Sequence, residues 1–236
     1  MLSLVIPTFK EGKIIESSIK NILKELNRID YEIIIIDDNS NDGTFEKVNR
    51  IAEINSNISI FINPHKKGFG NSIKEGIARS RGDYICFVMA DKSDDPKDII
   101  SYYDIIKLGD CDCVFGDRWV KPNSVKNYPK FKFFLNRFGN IVMSKIFNID
   151  YTDITNSFKM YRKDLLLEIS PLISNHFSIT IEIPLKTIYR GYSYKVIPNT
   201  WRNDKLAVSN LKLWNVFFTY SLIIFYCRIE KYFFKH

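Results

Sequence analysis

Tyr84-Ile85-Cys86-Phe87-Val88, followed at once by Met89-Ala90-Asp91-Lys92-Ser93-Asp94-Asp95-Pro96, decides how the rest of this chain is read. An unbroken apolar run of that length reads as a strand buried on both faces, and it releases its carboxylates at the C-terminal end. Open α/β sheets bind ligands outside the carboxyl ends of their strands. The turn is therefore a candidate metal and phosphate station.

Outward from that strand, up to about Phe115, short β-branched runs alternate with helical periods, as βαβ units of a mostly parallel sheet require. Strands are expected at Leu2 to Ile6, Tyr31 to Ile36, Ile58 to Ile62, Tyr84 to Val88 and Cys111 to Phe115. Helices are expected at Ile14 to Asn27, Thr44 to Ile54, Gly70 to Ser80 and Lys97 to Leu108. The fold class is α/β, a doubly wound sheet flanked by helices. At 236 residues and 45% hydrophobic content the chain is long enough for one large domain with an extension, not for a string of small ones.

The composition shifts from Val120 onward. Lys121, Lys126, Lys130, Lys132 and Arg137 alternate with Tyr128, Phe131, Phe133, Phe134 and Phe138, which reads either as a solvated helix with a buried aromatic stripe or as a surface facing anionic lipid. Phe177 to Arg190 reads as a helix despite Pro184, and Tyr194 to Ile197 as a strand. Leu211 to Phe234 is rich in Phe, Tyr, Leu and Ile and bracketed by Lys212, Arg228, Lys231 and Lys235. Its uninterrupted apolar part falls short of the roughly 20 residues that span a bilayer. A helix lying in the membrane interface and a helix docked on the domain both fit it.

Lys and Arg total 34 against 27 Asp and Glu, a net charge of +7, which favours phosphates, acidic headgroups or nucleic acid as partners. Nucleic acid is disfavoured, because acidic strand ends repel a phosphate backbone. Cys86, Cys111, Cys113 and Cys227 lack the paired spacing of a zinc site and read as reduced structural thiols. The run Leu2 to Ile6 is preceded by no basic leader, so the expected location is cytoplasmic.

A second acidic strand end, Asp37-Asp38-Asn39-Ser40-Asn41-Asp42-Gly43-Thr44, opens a helix. Ionised Asp there accepts hydrogen bonds from a ribose hydroxyl or a base N–H, or Ser40 and Asp42 simply cap the turn. After the first strand stands Pro7-Thr8-Phe9-Lys10-Glu11-Gly12, not the glycine-rich turn of a dinucleotide fold, which argues against NAD and FAD. Lys66-Lys67-Gly68-Phe69-Gly70-Asn71 puts lysines at a helix N-terminus, where phosphate is electrostatically favoured.

In this order the pieces resemble the inverting glycosyltransferases of family 2 with the GT-A fold, especially the dolichyl-phosphate mannose synthase-like branch. The matching segments are Val5 to Glu11, Ile36 to Thr44, Gly68 to Gly76, Ser80 to Tyr84 and the Asp91 turn. Gly116-Asp117-Arg118-Trp119 resembles the Gly-Ser-Arg-aromatic element, and Asp153-Ile154-Thr155-Asn156-Ser157-Phe158 the Asp-x-Thr-Ser-Gly-Phe element. Trp201-Arg202-Asn203-Asp204 through Ser209-Asn210 resembles the branch's Trp-Arg-x-Arg…Gly-x-Ser-Lys segment. The resemblance divides the chain into a GT-A domain over 1–210 and an amphipathic C-terminal helix over 211–236. The nucleotide-binding half of that domain is about 1–118 and the acceptor half about 119–210.

The resemblance implies transfer of a sugar from a UDP- or GDP-linked donor, with the nucleotide cradled by Pro7, Thr8, Phe9, Glu11, Asp37 and Asp38. It implies Mg²⁺ or Mn²⁺ held by Asp91, with Asp94 helping, against the pyrophosphate. Lys67, Arg118 and Arg202 are placed near phosphates, and Ser157, Arg202 and Ser209 on the acceptor side. Asp153 and Glu182 are the carboxylates for acceptor positioning or base duty. The expected acceptor is a polyprenyl phosphate, with a sugar hydroxyl of a glycan or glycolipid as the alternative and attachment to the cytoplasmic face of a membrane in either case. A catalytically inactive nucleotide-sugar binding protein and a sugar-phosphate nucleotidyltransferase are the competing classes; the latter would need a glycine-rich loop where Pro7-Thr8-Phe9 stands.

The chain departs from the family pattern at named positions. Met89 replaces the first Asp of the usual Asp-x-Asp, and a thioether is a poor ligand for a hard cation. Ser157 stands for Gly, while Asp204, Ala207 and Asn210 stand where the branch has Arg, Gly and Lys, which removes positive charge from the acceptor side.

Overall fold

The computed structural model describes residues 1–121, 124–202 and 213–233. In chain order the elements are β1 (Leu2–Thr8), α1 (Ile15–Leu26), β2 (Tyr31–Asp37), α2 (Thr44–Glu53), β3 (Ile58–Ile62), α3 (Phe69–Arg79), β4 (Tyr84–Phe87) and α4 (Pro96–Lys107). They continue with β5 (Cys113–Asp117), β6 (Val125–Lys126), α5 (Lys130–Phe147), β7 (Lys159–Arg162), α6 (Lys163–Glu168), α7 (Ile179–Tyr189), β8 (Tyr194–Pro198), β9 (Trp201–Arg202) and α8 (Leu213–Phe233). Among the described residues one sheet of seven strands runs β3-β2-β1-β4-β7-β5-β8, and β6 pairs with β9 in a small second sheet.

β1 lies parallel to β2 on one side and to β4 on the other, with Thr8 opposite Asp37 and Val5 opposite Phe87. Helices cover both faces of these strands, so their residues are apolar without alternation; Ile33 to Ile36 are all buried. The pleat sorts them between two cores. Leu2, Leu4 and Ile6 join Ile15, Ile19, Val48, Ile99 and Ile106 of α1, α2 and α4. Val5 points the other way, joining Ile73, Met143, Leu165, Ile181 and Ile223 of α3, α5, α6, α7 and α8. Each such fully buried aliphatic side chain is worth about 1.5–3 kcal/mol relative to exposure.

The strand expected over Cys111 to Phe115 is found at Cys113–Asp117, and just ahead of its pairing with β8 the Asp112 and Cys113 amides donate to the Ser193 carbonyl at 3.0 and 3.3 Å. β7 was not foreseen. It is four residues long, carries Lys159 and Arg162 at its ends and runs antiparallel to both β4 and β5, the one reversed strand among those described in the large sheet.

Pro184 sits inside α7. A proline there has no N–H for the carbonyl four residues back, which is that of Thr180. The buried Lys159 ammonium donates to that carbonyl at 3.4 Å, to Ile154 at 3.0 Å and to the Asn156 carbonyl. The residue that breaks the helical ladder is thus matched by a cation from the neighbouring strand.

α8 is held to α7 by charge as well as by packing. The buried Glu230 carboxylate accepts from Arg190 and lies 3.2 Å from the Lys186 ammonium, which also donates to the Pro171 carbonyl at 2.6 Å. No helix among the described residues is long and apolar enough to cross a membrane.

Close approach of α3 to β1 depends on Gly76, where an added Cβ would lie 2.2 Å from Val5 Cγ1. Gly76→Ala gains at most about 1 kcal/mol of helix propensity but overpacks a filled core at about 1–3 kcal/mol. We expect a net loss of stability in urea denaturation of that variant.

Candidate active site

Because β1 lies between β2 and β4, the three strands end side by side, and this end of the sheet is where the strand order changes direction. Carboxylates from all three ends meet there: Glu11 after β1, Asp42 after β2, and Asp91 and Asp94 after β4. The β1 and β2 turns are tied together: Asp37 accepts from Thr8 Oγ1 at 3.0 Å and from the Ser40 amide at 2.9 Å. The Asp38 amide donates to the Thr8 carbonyl at 2.8 Å, the Glu11 amide to Thr44 Oγ1 at 3.1 Å and the Gly12 amide to Asp42 at 2.9 Å. Lys10 and Asn39 take positive φ, 59° and 60°, where these turns reverse.

Asp38 is buried and turns toward the start of α3. Its carboxylate accepts from the Gly68 amide at 2.9 Å and from Asn63 Nδ2 at 2.9 Å. The Gly70 and Asn71 amides are taken by the Asn175 carbonyl at 3.0 and 3.3 Å. The α3 N-terminus, expected as a phosphate seat, is therefore already occupied by protein oxygens. Lys67 lies beside it with its ammonium 3.0 Å from the centroid of the Phe9 ring, a cation–π contact that keeps a positive charge at the mouth of the β1 turn.

The turn after β4 brings the third group of carboxylates. Asp91 accepts from the Ser93 amide at 3.0 Å, and the buried Asp94 accepts from the Met89 amide at 3.4 Å. Burial first and the charge of Asp91 second push the Asp94 carboxyl up to about 8. Glu11 is pushed up to about 7 by burial, then by Asp91 and Asp42. Carboxylates that raise one another across a cleft form a field that a divalent cation relieves.

Asp91 and Asp94 offer the hard oxygen donors that Mg²⁺ and Mn²⁺ take. Among the described residues no three His, Cys, Asp or Glu side chains gather into a closed cage. Mg²⁺ is ordinarily bound by one or two carboxylates with water and substrate phosphate, and the residues present fit that mode.

A cavity of about 530 Å³ opens on the other flank of this turn, between α1 and α4, lined by Ser18, Asn21, Lys92, Asp94, Asp95 and Arg202 among others. Arg202 reaches it because its amide donates to the Ser93 carbonyl at 2.8 Å, which fastens β9 to the acidic turn. Behind it Trp119, Tyr128, Phe133 and Trp201 form an aromatic cluster.

The other residues expected at the site are placed as follows. Asp153 is fully buried, and it receives the Arg118 side chain at 2.8 and 2.7 Å and the Arg118 amide at 2.9 Å. In this arrangement its oxygens hold Arg118. Arg118 in turn is buried against this carboxylate instead of reaching outward as a free phosphate ligand. Glu182 is also fully buried, accepting from the Ile173 and Ser174 amides at 2.8 Å each, so it braces the loop before α7. Ser157, half-buried, lines a small hollow of about 10 Å³ with Phe69, Phe87 and Tyr161. Ser209, with Asp204, Ala207 and Asn210, lies outside the described residues.

Reading the sequence missed Lys159, whose ammonium fixes the 153–157 loop and which burial pushes down to about 7. It also missed Asn63, which steadies Asp38. A lysine directly after Phe158 and an asparagine at the end of a strand were the available signals.

The chain matches the description "Glycosyl transferase family 2" over residues 3–170. It belongs to that family. A curated relative, the dolichol-phosphate mannosyltransferase of Pyrococcus furiosus, is 28% identical over 194 residues, 80% of this chain and 53% of that protein. This family 2 chain thus spans about half the length of that relative. The polyprenol monophosphomannose synthase of Mycolicibacterium smegmatis is 24% identical over 218 residues, 90% of this chain and 81% of that protein. Among solved structures, glucosyl-3-phosphoglycerate synthase from Mycobacterium tuberculosis in complex with uridine diphosphate superposes with a TM-score of 0.72 at 16% identity, covering 96% of this chain and 79% of that one. The same synthase with Mn²⁺, uridine diphosphate and phosphoglyceric acid gives 0.70. The fold is GT-A.

Removing either half of the buried pair leaves an uncompensated charge, so Arg118→Ala should cost about 3–5 kcal/mol in equilibrium unfolding. Asp91→Asn should instead raise stability when no metal is added, since it removes repulsion on Glu11 and Asp94. Thermal unfolding of the two variants beside the parent distinguishes a structural group from a functional one.

Proposed function

We propose that this chain transfers a sugar, with inversion, from a nucleotide diphosphate sugar to a polyprenyl phosphate. The observation that carries the acceptor is the state of Asp153 and Glu182. A sugar hydroxyl needs a carboxylate to take its proton, and the two carboxylates expected for that duty on the acceptor side are both fully buried and bonded to the protein. A phosphate oxygen arrives ionised and needs no base. The names of the Pyrococcus and Mycolicibacterium relatives support the same acceptor class and favour mannose as the sugar.

In this reading Pro7, Thr8, Phe9, Glu11, Asp37 and Asp38 shape the nucleotide seat, with Asp37 and Asp38 acting chiefly by holding the turns in register. Lys67 moves from Phe9 to the diphosphate. Asp91, supported by Asp94, would hold Mg²⁺ or Mn²⁺, which when bound neutralises the charge growing on the leaving nucleoside diphosphate. Arg202, at the cavity beside the turn, receives the acceptor phosphate, while Asp153 keeps Arg118 oriented behind it. In-line attack from the Arg202 side on a donor anchored at Asp91 gives inversion. Such an enzyme works as a peripheral protein at the cytoplasmic face of a membrane, and four buried free thiols support a reducing compartment.

The test is a panel of GDP- and UDP-sugars with a polyprenyl phosphate, run with Mn²⁺, Mg²⁺ or EDTA. Expected are a lipid-linked product of inverted configuration and loss of turnover in EDTA. Asp91→Ala should lower kcat by about a hundredfold or more, the scale of losing one preorganised charge-stabilising group. Transfer to soluble glycans with none to the lipid phosphate would overturn the acceptor, and turnover indifferent to EDTA would overturn the metal role.

A further inference from the structure

Four consecutive backbone amides, Asn199 to Arg202, are each taken by a different part of the molecule. Asn199 donates to the Asp117 carbonyl at the end of β5 at 3.3 Å, and Thr200 to Asp98 Oδ2 on α4 at 2.8 Å. Trp201 donates to the Ser124 carbonyl ahead of β6 and Arg202 to the Ser93 carbonyl of the acidic turn, both at 2.8 Å. Trp201 also pairs in a β-bridge with Asp94. These residues form a strap from the end of β5 to the turn after β4, and Arg202 is the residue it delivers there. The Arg202 side chain is exposed and β9 is two residues long, a pairing with little stability of its own. The fastenings of the strap therefore decide where the guanidinium stands.

Three of the four acceptors are backbone carbonyls, which any residue supplies. The fourth is a side chain. Asp98 lies in the first turn of α4, where the helix dipole favours a carboxylate, and it is half-buried. A carboxylate that merely complemented the dipole would need no partner; this one accepts from an amide 102 positions along the chain. The other end of the strap is fixed by Asn199, which is buried and accepts from Asn156 Nδ2 at 3.0 Å. Gly116 leaves room for this contact, since an added Cβ would lie 2.8 Å from Asn199 Oδ1. Asn156 also donates to the Gly116 carbonyl at 2.9 Å, just ahead of Arg118. Arg118 and Arg202 are thus set from one framework.

We propose that Asp98 is a positioning residue for the acceptor: through the Thr200 amide it holds Arg202 against the acidic turn, so that the guanidinium meets the incoming lipid phosphate in a fixed place. The role rests on the sugar-transfer reading above, in which Arg202 receives that phosphate.

The test compares Asp98→Ala, Asp98→Asn and Arg202→Ala with the parent in two measurements. One is amide hydrogen exchange over the strap; the other is steady-state transfer to polyprenyl phosphate from the most active of the GDP- and UDP-sugars. Asp98→Ala should speed exchange at Thr200 and Arg202 about tenfold or more, the scale of one lost hydrogen bond to a charged group. It should raise the KM for polyprenyl phosphate by a similar factor, with the donor KM and the melting temperature close to the parent's. Asp98→Asn keeps an oxygen for the amide but no charge for the helix dipole, so it should restore both quantities. An Asn variant that fails as Ala does would assign Asp98 to helix capping and overturn the proposal. So would unchanged strap exchange, or an unchanged acceptor KM, in Asp98→Ala when Arg202→Ala does raise that KM. If Arg202→Ala leaves the acceptor KM at the parent value, or the parent transfers nothing to the lipid phosphate, the acceptor reading itself fails and the positioning role falls with it.

Discussion

The parallel pairing of β1 with β2 and β4 at once is the constraint on which the rest of this molecule depends. Three strands that run the same way must also stop at the same end; here β2 and β4 stop at segments rich in carboxylates and β1 at the turn that carries Glu11. Backbone pairing, which is indifferent to side-chain charge, forces Glu11, Asp91 and Asp94 into one neighbourhood. The cost appears as carboxyls pushed up toward neutral pH, and the two hydrophobic cores on either side of the sheet offset it. A divalent cation would relieve that mutual repulsion.

Around that end the protein commits its other polar groups to rigidity. Asp37 and Asp38 bond the β1 turn, the β2 turn and the start of α3 to one another. Asp153 mounts Arg118, and Lys159 ties the 153–157 loop to the carbonyl that Pro184 leaves unbonded. These contacts are buried, so a substitution at any of them changes folding before it changes chemistry. Asp91, half-buried at the tip of its turn, sits in a different class.

The sheet was legible in the sequence wherever strands are buried on both faces, since runs such as Ile33 to Ile36 and Tyr84 to Val88 admit no other reading. The acidic strand ends came with those runs, and the family resemblance gave them their order. What sequence did not reveal was commitment. Asp153 and Glu182 look like any carboxylates in a line of text, and only three-dimensional contact shows that their oxygens are already used by Arg118 and by two loop amides. β7 escaped for a related reason: four residues with charged ends carry too little periodicity to announce a strand, and its place between β4 and β5 is set by partners distant in the chain. In the aromatic and basic stretch after Val120, only the fold of α5 reveals that Phe131, Phe134 and Phe138 face outward while Phe133 packs on Trp119.

The ion cluster of Glu230 with Lys186 and Arg190 has a bearing on where this polypeptide divides. Motif matching ends the catalytic unit near residue 210 and treats the last helix as an appendage. Yet a chain cut there would strip the cover from Ile181 and leave the Lys186 ammonium facing a hole once filled by Ile223, Cys227 and a carboxylate. That helix is packed as a wall of the same core.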